Sequence, residues 1–141
     1  LIVREAARAI AWYEEALGAE MKEKLEGPGG RIGHAEMQLG DAVFMLADEV
    51  PDMGIVSPLA SEHRPPVKLL VYVPDVDAAY RRAIELGAVE DRPVQDQFYG
   101  DRTGSIVDPF GHCWTLATHL EDVPPEELQR RFQALLGHAK E

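Results

Sequence analysis

Apolar and polar positions along this chain follow two periods, and the succession of periods runs through twice. Leu1-Ile2-Val3 opens as the remnant of a strand. Ile10, Tyr13 and Leu17 then recur at helical spacing and predict a helix over 5–17, with Gly18 as its stop. Residues 21–25 read as a strand, closed by the turn Gly27-Pro28-Gly29-Gly30. A hairpin of residues 31–39 and 42–46 follows across Gly40-Asp41. In its first arm Ala35, Met37 and Leu39 alternate with His34, Glu36 and Gln38, which predicts one buried and one open face. Residues 49–66 are rich in Pro, Ser and Glu, lack any period, and read as a linking loop.

After the loop the pattern restarts. Residues 67–73 read as a strand, 75–86 as a helix stopped by Gly87, and 89–93 as a further strand. Residues 104–107 and 113–118 close the unit as a hairpin around Asp108-Pro109-Phe110-Gly111. Pro109 presets φ for that turn, and Gly111 takes a positive φ at little cost. LIVREAARAIAWYEEALGAE and VYVPDVDAAYRRAIELGAVE align as two copies at a period of roughly 70 residues. Each copy is a βαβββ module, and one alone would leave an open edge and an uncovered face. The expected fold is therefore α+β: two such modules forming a curved eight-stranded mixed sheet around a cleft, with helices outside. We expect one domain over 1–119, with module 1 at about 1–48, the linker at 49–66 and module 2 at about 67–119. A C-terminal amphipathic helix falls within 120–141, with Leu128, Phe132, Leu135 and Leu136 as its apolar stripe. That stripe is expected to lie on its own chain in preference to a partner.

Composition narrows the partners. A net charge of -11 repels a phosphate backbone, and the basic pairs Arg81-Arg82 and Arg130-Arg131 lie on acidic helices. No nucleic acid is expected. No apolar run approaches the roughly 18 residues of a membrane span, so no membrane partner is expected either. A single cysteine, Cys113, excludes an intramolecular disulfide and a cysteine-based zinc site. A cytoplasmic location is expected. Leu1 falls inside a strand, so a few residues are expected ahead of it.

The helix opening Val73-Pro74-Asp75-Val76-Asp77, the Leu-Gly-Ala helix ends and the closing DPFGHCWTLATH together resemble the vicinal oxygen chelate superfamily. That superfamily includes glyoxalases, bleomycin-resistance proteins and extradiol dioxygenases. QDQFYGDR looks like its short, mostly uncharacterised glyoxalase-like branch. Metal enzymes of the superfamily place one ligand, usually His or Glu, on each of four inner strands. By resemblance, the first position falls before Leu1 and the others on Met45, Leu70 and Thr115. These are not the donors that a divalent zinc, nickel or iron site takes. The resemblance thus implies the fold and a cleft, but no metal in the usual place.

Strand parity then assigns the cleft wall. Lys68, Leu70 and Tyr72 face inward, with Val67, Leu69, Val71 and Val73 under the helices. Cys113, Thr115, Ala117 and His119 also face inward, beside Met45. A mostly apolar wall with a few polar groups is the composition of a small-molecule pocket. Tyr99 and Arg102 lie in a loop that could cover the cleft, with Tyr99 stacking on a planar ligand; the competing reading pairs Asp101 with Arg102 to fix that loop. His112 is expected to face solvent, and Trp12 to pack on a helix surface. His34 and Glu36 share a strand face and are candidate acid–base groups, or metal ligands together with His119.

Two functions remain open at this point. One is a metal-independent binding protein of the glyoxalase/bleomycin-resistance type, capturing an apolar or aromatic small molecule with no cofactor. The other is a glyoxalase-like lyase or isomerase with a divalent metal on shifted ligands, or with Glu36 and His34 as an acid–base pair. The loss at Met45, Leu70 and Thr115 favours the first. The resemblance further implies a homodimer, with the cleft built from modules of both chains.

Overall fold

The computed structural model describes residues 1–139; Lys140 and Glu141, at the end of the segment expected to hold the C-terminal helix, lie outside the described residues. The chain runs β1 (Ile2–Val3), α1 (Ala6–Leu17), β2 (Glu20–Glu26), β3 (Ile32–Leu39) and β4 (Ala42–Asp48). After the linking segment come β5 (Lys68–Tyr72), α2 (Val76–Glu85), β6 (Val89–Asp96), β7 (Asp101–Val107), β8 (Cys113–His119) and α3 (Pro125–His138). The expected α+β fold of two βαβββ units and a terminal helix is what the structure shows. Its eight strands divide into two four-stranded mixed sheets, ordered β1-β4-β3-β2 and β5-β8-β7-β6. In each sheet the first strand pairs parallel to the last, and the other pairings are antiparallel. The linking segment is less featureless than its composition suggests. It holds short 3-10 turns at Pro51–Met53 and Pro58–Ala60.

Helices α1 and α2 each have a carboxylate that accepts one of their free N–H groups. Asp75, in extended conformation, caps α2 by accepting from Ala78 N at 3.1 Å. Helix α1 has no such cap of its own, because Glu5 adopts a left-handed φ of 66° and its side chain makes no capping bond. Asp48, at the end of β4, accepts Ala6 N at 2.7 Å instead and takes Ile32 N on its other oxygen at 2.8 Å. One carboxylate thus ties α1, β3 and β4 together.

The core lies on the helix-covered faces. Ala9, Tyr13, Ala16 and Leu17 of α1 bury against Ala35, Met37 and Leu46. Helix α2 sits close on β7 because Gly104 has no Cβ; one built there would stand 2.8 Å from the Tyr80 ring and 2.7 Å from Val94. An aromatic cluster joins the two halves: Tyr13 lies 5.4 Å from Phe44 and 5.6 Å from Trp114, centroid to centroid. The Tyr13 hydroxyl donates to the buried Asp108 at 2.5 Å, and Trp114 Nε1 donates to the same carboxylate at 2.8 Å. Burial first, and the Asp108 charge second, raise the Tyr13 pKa well above its ordinary value.

Three expectations are corrected here. Trp12 does not merely coat a helix surface: it is buried, and its Nε1 donates to Leu86 O at 2.8 Å. The His112 ring reaches back to Ile2 O at 2.8 Å through Nε2 instead of facing solvent. Val67 is exposed, because it precedes the β5 ladder and no pairing turns it toward a helix.

Candidate functional site

The faces opposite the helices carry the candidate site. Register places Glu36 against Met45 and Gln38 against Val43 in the first sheet. It places Lys68 against Cys113, Leu70 against Thr115, and Tyr72 against Ala117 in the second. These open faces are apolar only in part, and four of their large side chains are uncovered: Val43 is 55% exposed, Met45 52%, Leu70 49% and Tyr72 60%. A groove of about 660 Å³ continues the first face, lined by Ile2, Leu25, Arg31, Ala47, Val50 and Ile55 among others. Its size falls in the range of small-molecule pockets. Val50 and Ile55 come from the linking segment, where they form an isolated bridge, and no periodicity marks them beforehand.

The second face is more polar. Asp101, buried on β7, accepts the Tyr72 hydroxyl on Oδ2 at 2.8 Å and stands 2.8 Å from His119 Nδ1 through Oδ1. His119 Nε2 lies 2.7 Å from Asp122 Oδ1. An ionised carboxylate only accepts, so this arrangement favours the doubly protonated ring, with both nitrogens donating. The Asp101 bond, then the Asp122 bond, raise the His119 pKa above its usual value. The Asp101 bond likewise raises that of Tyr72. Deeper in the same face, Ser105 Oγ and Thr115 Oγ1 are 2.9 Å apart, and Gln97 Nε2 donates to Thr103 Oγ1 at 3.0 Å. Lys68 pairs with Asp91 at 2.8 Å. Cys113 keeps its inward register but is buried, and burial raises its thiol pKa, leaving it unactivated.

Several candidates are not brought to this face. Arg102 lies on the other side of β7, held by both Asp77 oxygens at 2.8 and 2.9 Å and by Asp96 at 2.9 Å. An Asp101–Arg102 pair is excluded for the same reason, since neighbouring residues of a strand point to opposite faces. Tyr99 packs edge-on against Phe98 at 5.3 Å and lines a groove of about 400 Å³ with Leu128 and Phe132 of α3. The joint metal group of His34, Glu36 and His119 is not assembled: His119 lies in the second sheet, outside the donor group of His34 and Glu36, with its nitrogens facing Asp101 and Asp122. His34 Nε2 and Glu36 Oε1 are 3.7 Å apart, beyond hydrogen-bond distance, so they do not form a hydrogen-bonded acid–base pair. Glu23, which no motif marks in the sequence, joins them instead: donor atoms of Glu23, His34 and Glu36 lie within 4.8 Å of one another.

The positions that the resemblance assigns to a metal carry side chains that do not fit one. Met45 and Leu70 offer no oxygen or nitrogen side-chain donor, and the Thr115 hydroxyl is engaged by Ser105. No helix among the described residues is long and apolar enough to cross a membrane.

Comparison with known proteins agrees with this architecture. An uncharacterised protein of Mycobacterium bovis, Mb0911c, is 37% identical over 131 residues, covering 92% of this chain and 86% of that protein. The crystal structure of TioX from Micromonospora sp. ML1 superposes with a TM-score of 0.66 at 27% identity, covering 85% of this chain and 94% of that one. The fosfomycin resistance protein FosX of Listeria monocytogenes, solved with Mn(II) and sulfate, has a TM-score of 0.63 at 17% identity, covering 94% and 92%. At that identity the likeness to FosX is one of fold. The family profile described as Glyoxalase/Bleomycin resistance protein/Dioxygenase superfamily matches residues 1–116, and the chain belongs to that superfamily.

Proposed function

We propose that this chain captures an apolar or aromatic small molecule between the open faces of its two sheets, without a metal at the superfamily's usual positions. The observation that carries this reading is the exposure of Val43 and Met45 on the first face and of Leu70 and Tyr72 on the second, where the Tyr72, Ser105 and Thr115 hydroxyls are already hydrogen-bonded. Uncovered apolar side chains beside a satisfied polar network favour a ligand that brings apolar surface. Each sheet leaves its own open face uncovered in a single chain. We therefore infer a homodimer in which one protomer's first sheet faces its partner's second.

The test is a thermal-shift screen of aromatic small molecules in EDTA, with light scattering in parallel. A hit raises the melting temperature of the wild type but not of Met45→Glu or Leu70→Glu, and the mass is that of two chains. Hits that survive both substitutions would place the ligand elsewhere. A monomer would remove the shared cleft.

A further inference from the structure

A second site lies on the same face as the groove, further along β2 and β3. Register sets Glu23 of β2 opposite Glu36 of β3, and Leu25 opposite His34. Glu23, His34 and Glu36 therefore share one face of a two-stranded ribbon. Two like charges directly opposite each other destabilise a strand pair unless something compensates them. The neighbouring lysines do not: Lys22 pairs with Glu20 at 2.9 Å and Lys24 with Glu26 at 2.6 Å. Among the described residues, the basic group brought to the two carboxylates is His34. Its Nε2 stands 3.7 Å from Glu36 Oε1, too far for a hydrogen bond. Donors sharing a tetrahedral ion with bonds of about 2.0–2.2 Å stand about 3.4 Å apart. The His34–Glu36 spacing is close to that value, and the donor atoms of all three residues, within 4.8 Å of one another, reach it by side-chain rotation.

We infer that Glu23, His34 and Glu36 form a divalent metal site on the β2–β3 ribbon. The donor set, one imidazole nitrogen and two carboxylate oxygens, suits zinc or another first-row ion and does not depend on cysteine. Three protein ligands leave a coordination position open to water or to a bound molecule on the same face. The site uses none of Met45, Leu70 and Thr115. It stands independently of ligand capture, which is measured in EDTA, so the two readings fail separately.

The test titrates zinc chloride calorimetrically into untagged protein stripped with EDTA and dialysed. The expected result is about one ion per chain, the stoichiometry of a single three-donor site. Glu23→Gln, His34→Gln and Glu36→Gln each weaken binding by more than the roughly 10–100-fold that an outer-shell change costs. His63→Gln, in the exposed part of the linking segment, leaves the affinity unchanged. Ring NMR of the histidines supplies a readout that needs no substitution. Zinc shifts the His34 resonances and leaves those of His63 in place. No stoichiometric binding to the wild type overturns the proposal. So does binding that survives all three cluster substitutions, or a zinc-induced shift at His63 with none at His34.

Discussion

Asp101 holds the Tyr72 hydroxyl on one oxygen and His119 on the other, and so sets how the polar end of the second sheet is presented. Because the His119 pKa is raised in the folded chain, its contribution to stability has a defined sign. It is fully present below the unfolded histidine value of about 6.5 and is lost as pH rises through the folded value. In an NMR titration the wild-type His119 midpoint is expected above that of an ordinary histidine, falling toward it in Asp101→Asn. A midpoint unmoved by the substitution would show that Asp101 does not hold the ring. None of this is legible at Gly100-Asp101-Arg102, which has the composition of a turn. Only the pairing of Asp101 with His119 carries β7 that far and separates Asp101 from Arg102.

At the scale of elements, the strand faces were legible and the ends were not. Alternation in residues 34–39 separated buried Ala35, Met37 and Leu39 from half-buried His34, Glu36 and Gln38 because period 2 admits no other arrangement. The apolar stripe of α3 was also visible, but its cover is partial. Phe132 lies against Phe98 at 5.6 Å, whereas Leu135 and Leu136 are about half exposed. What anchors the segment leading into α3 is Gly100, whose carbonyl accepts Leu120 N at 2.9 Å and Glu121 N at 3.1 Å. A Cβ at that position would stand 2.3 Å from Glu121 O, at a φ of +98°. Gly100→Ala should cost at least the roughly 1–3 kcal/mol of a strained backbone, seen as a lower urea midpoint with an unchanged slope. An unaltered midpoint would mean that the crossing is not tight in solution.

For the molecule as a whole, the duplication was readable because two helices with the same stop recur at one spacing. The joint between the halves was not, since it brings together residues as far apart in sequence as Tyr13 and Asp108. Asp108 also accepts Phe110 N at 2.9 Å and His112 N at 3.0 Å, so the turn of the closing hairpin is built on the carboxylate that receives α1. Tyr13→Phe keeps the ring and removes one donor from this buried charge. Its expected cost is about 1.5–3 kcal/mol in chemical denaturation, as for other hydrogen bonds to charged groups. A loss well below that range would show that Trp114 and the two backbone donors suffice.

The two tryptophans of the chain both belong to this joint: Trp114 lies 5.6 Å from Tyr13, and Trp12 lies 6.4 Å from Phe110. Both are buried on the helix side, away from the open faces. Intrinsic fluorescence is therefore a gauge of whether the halves stay docked. A molecule arriving at Met45 or Leu70 should leave the emission maximum in place, while separation of the halves should shift it to the red.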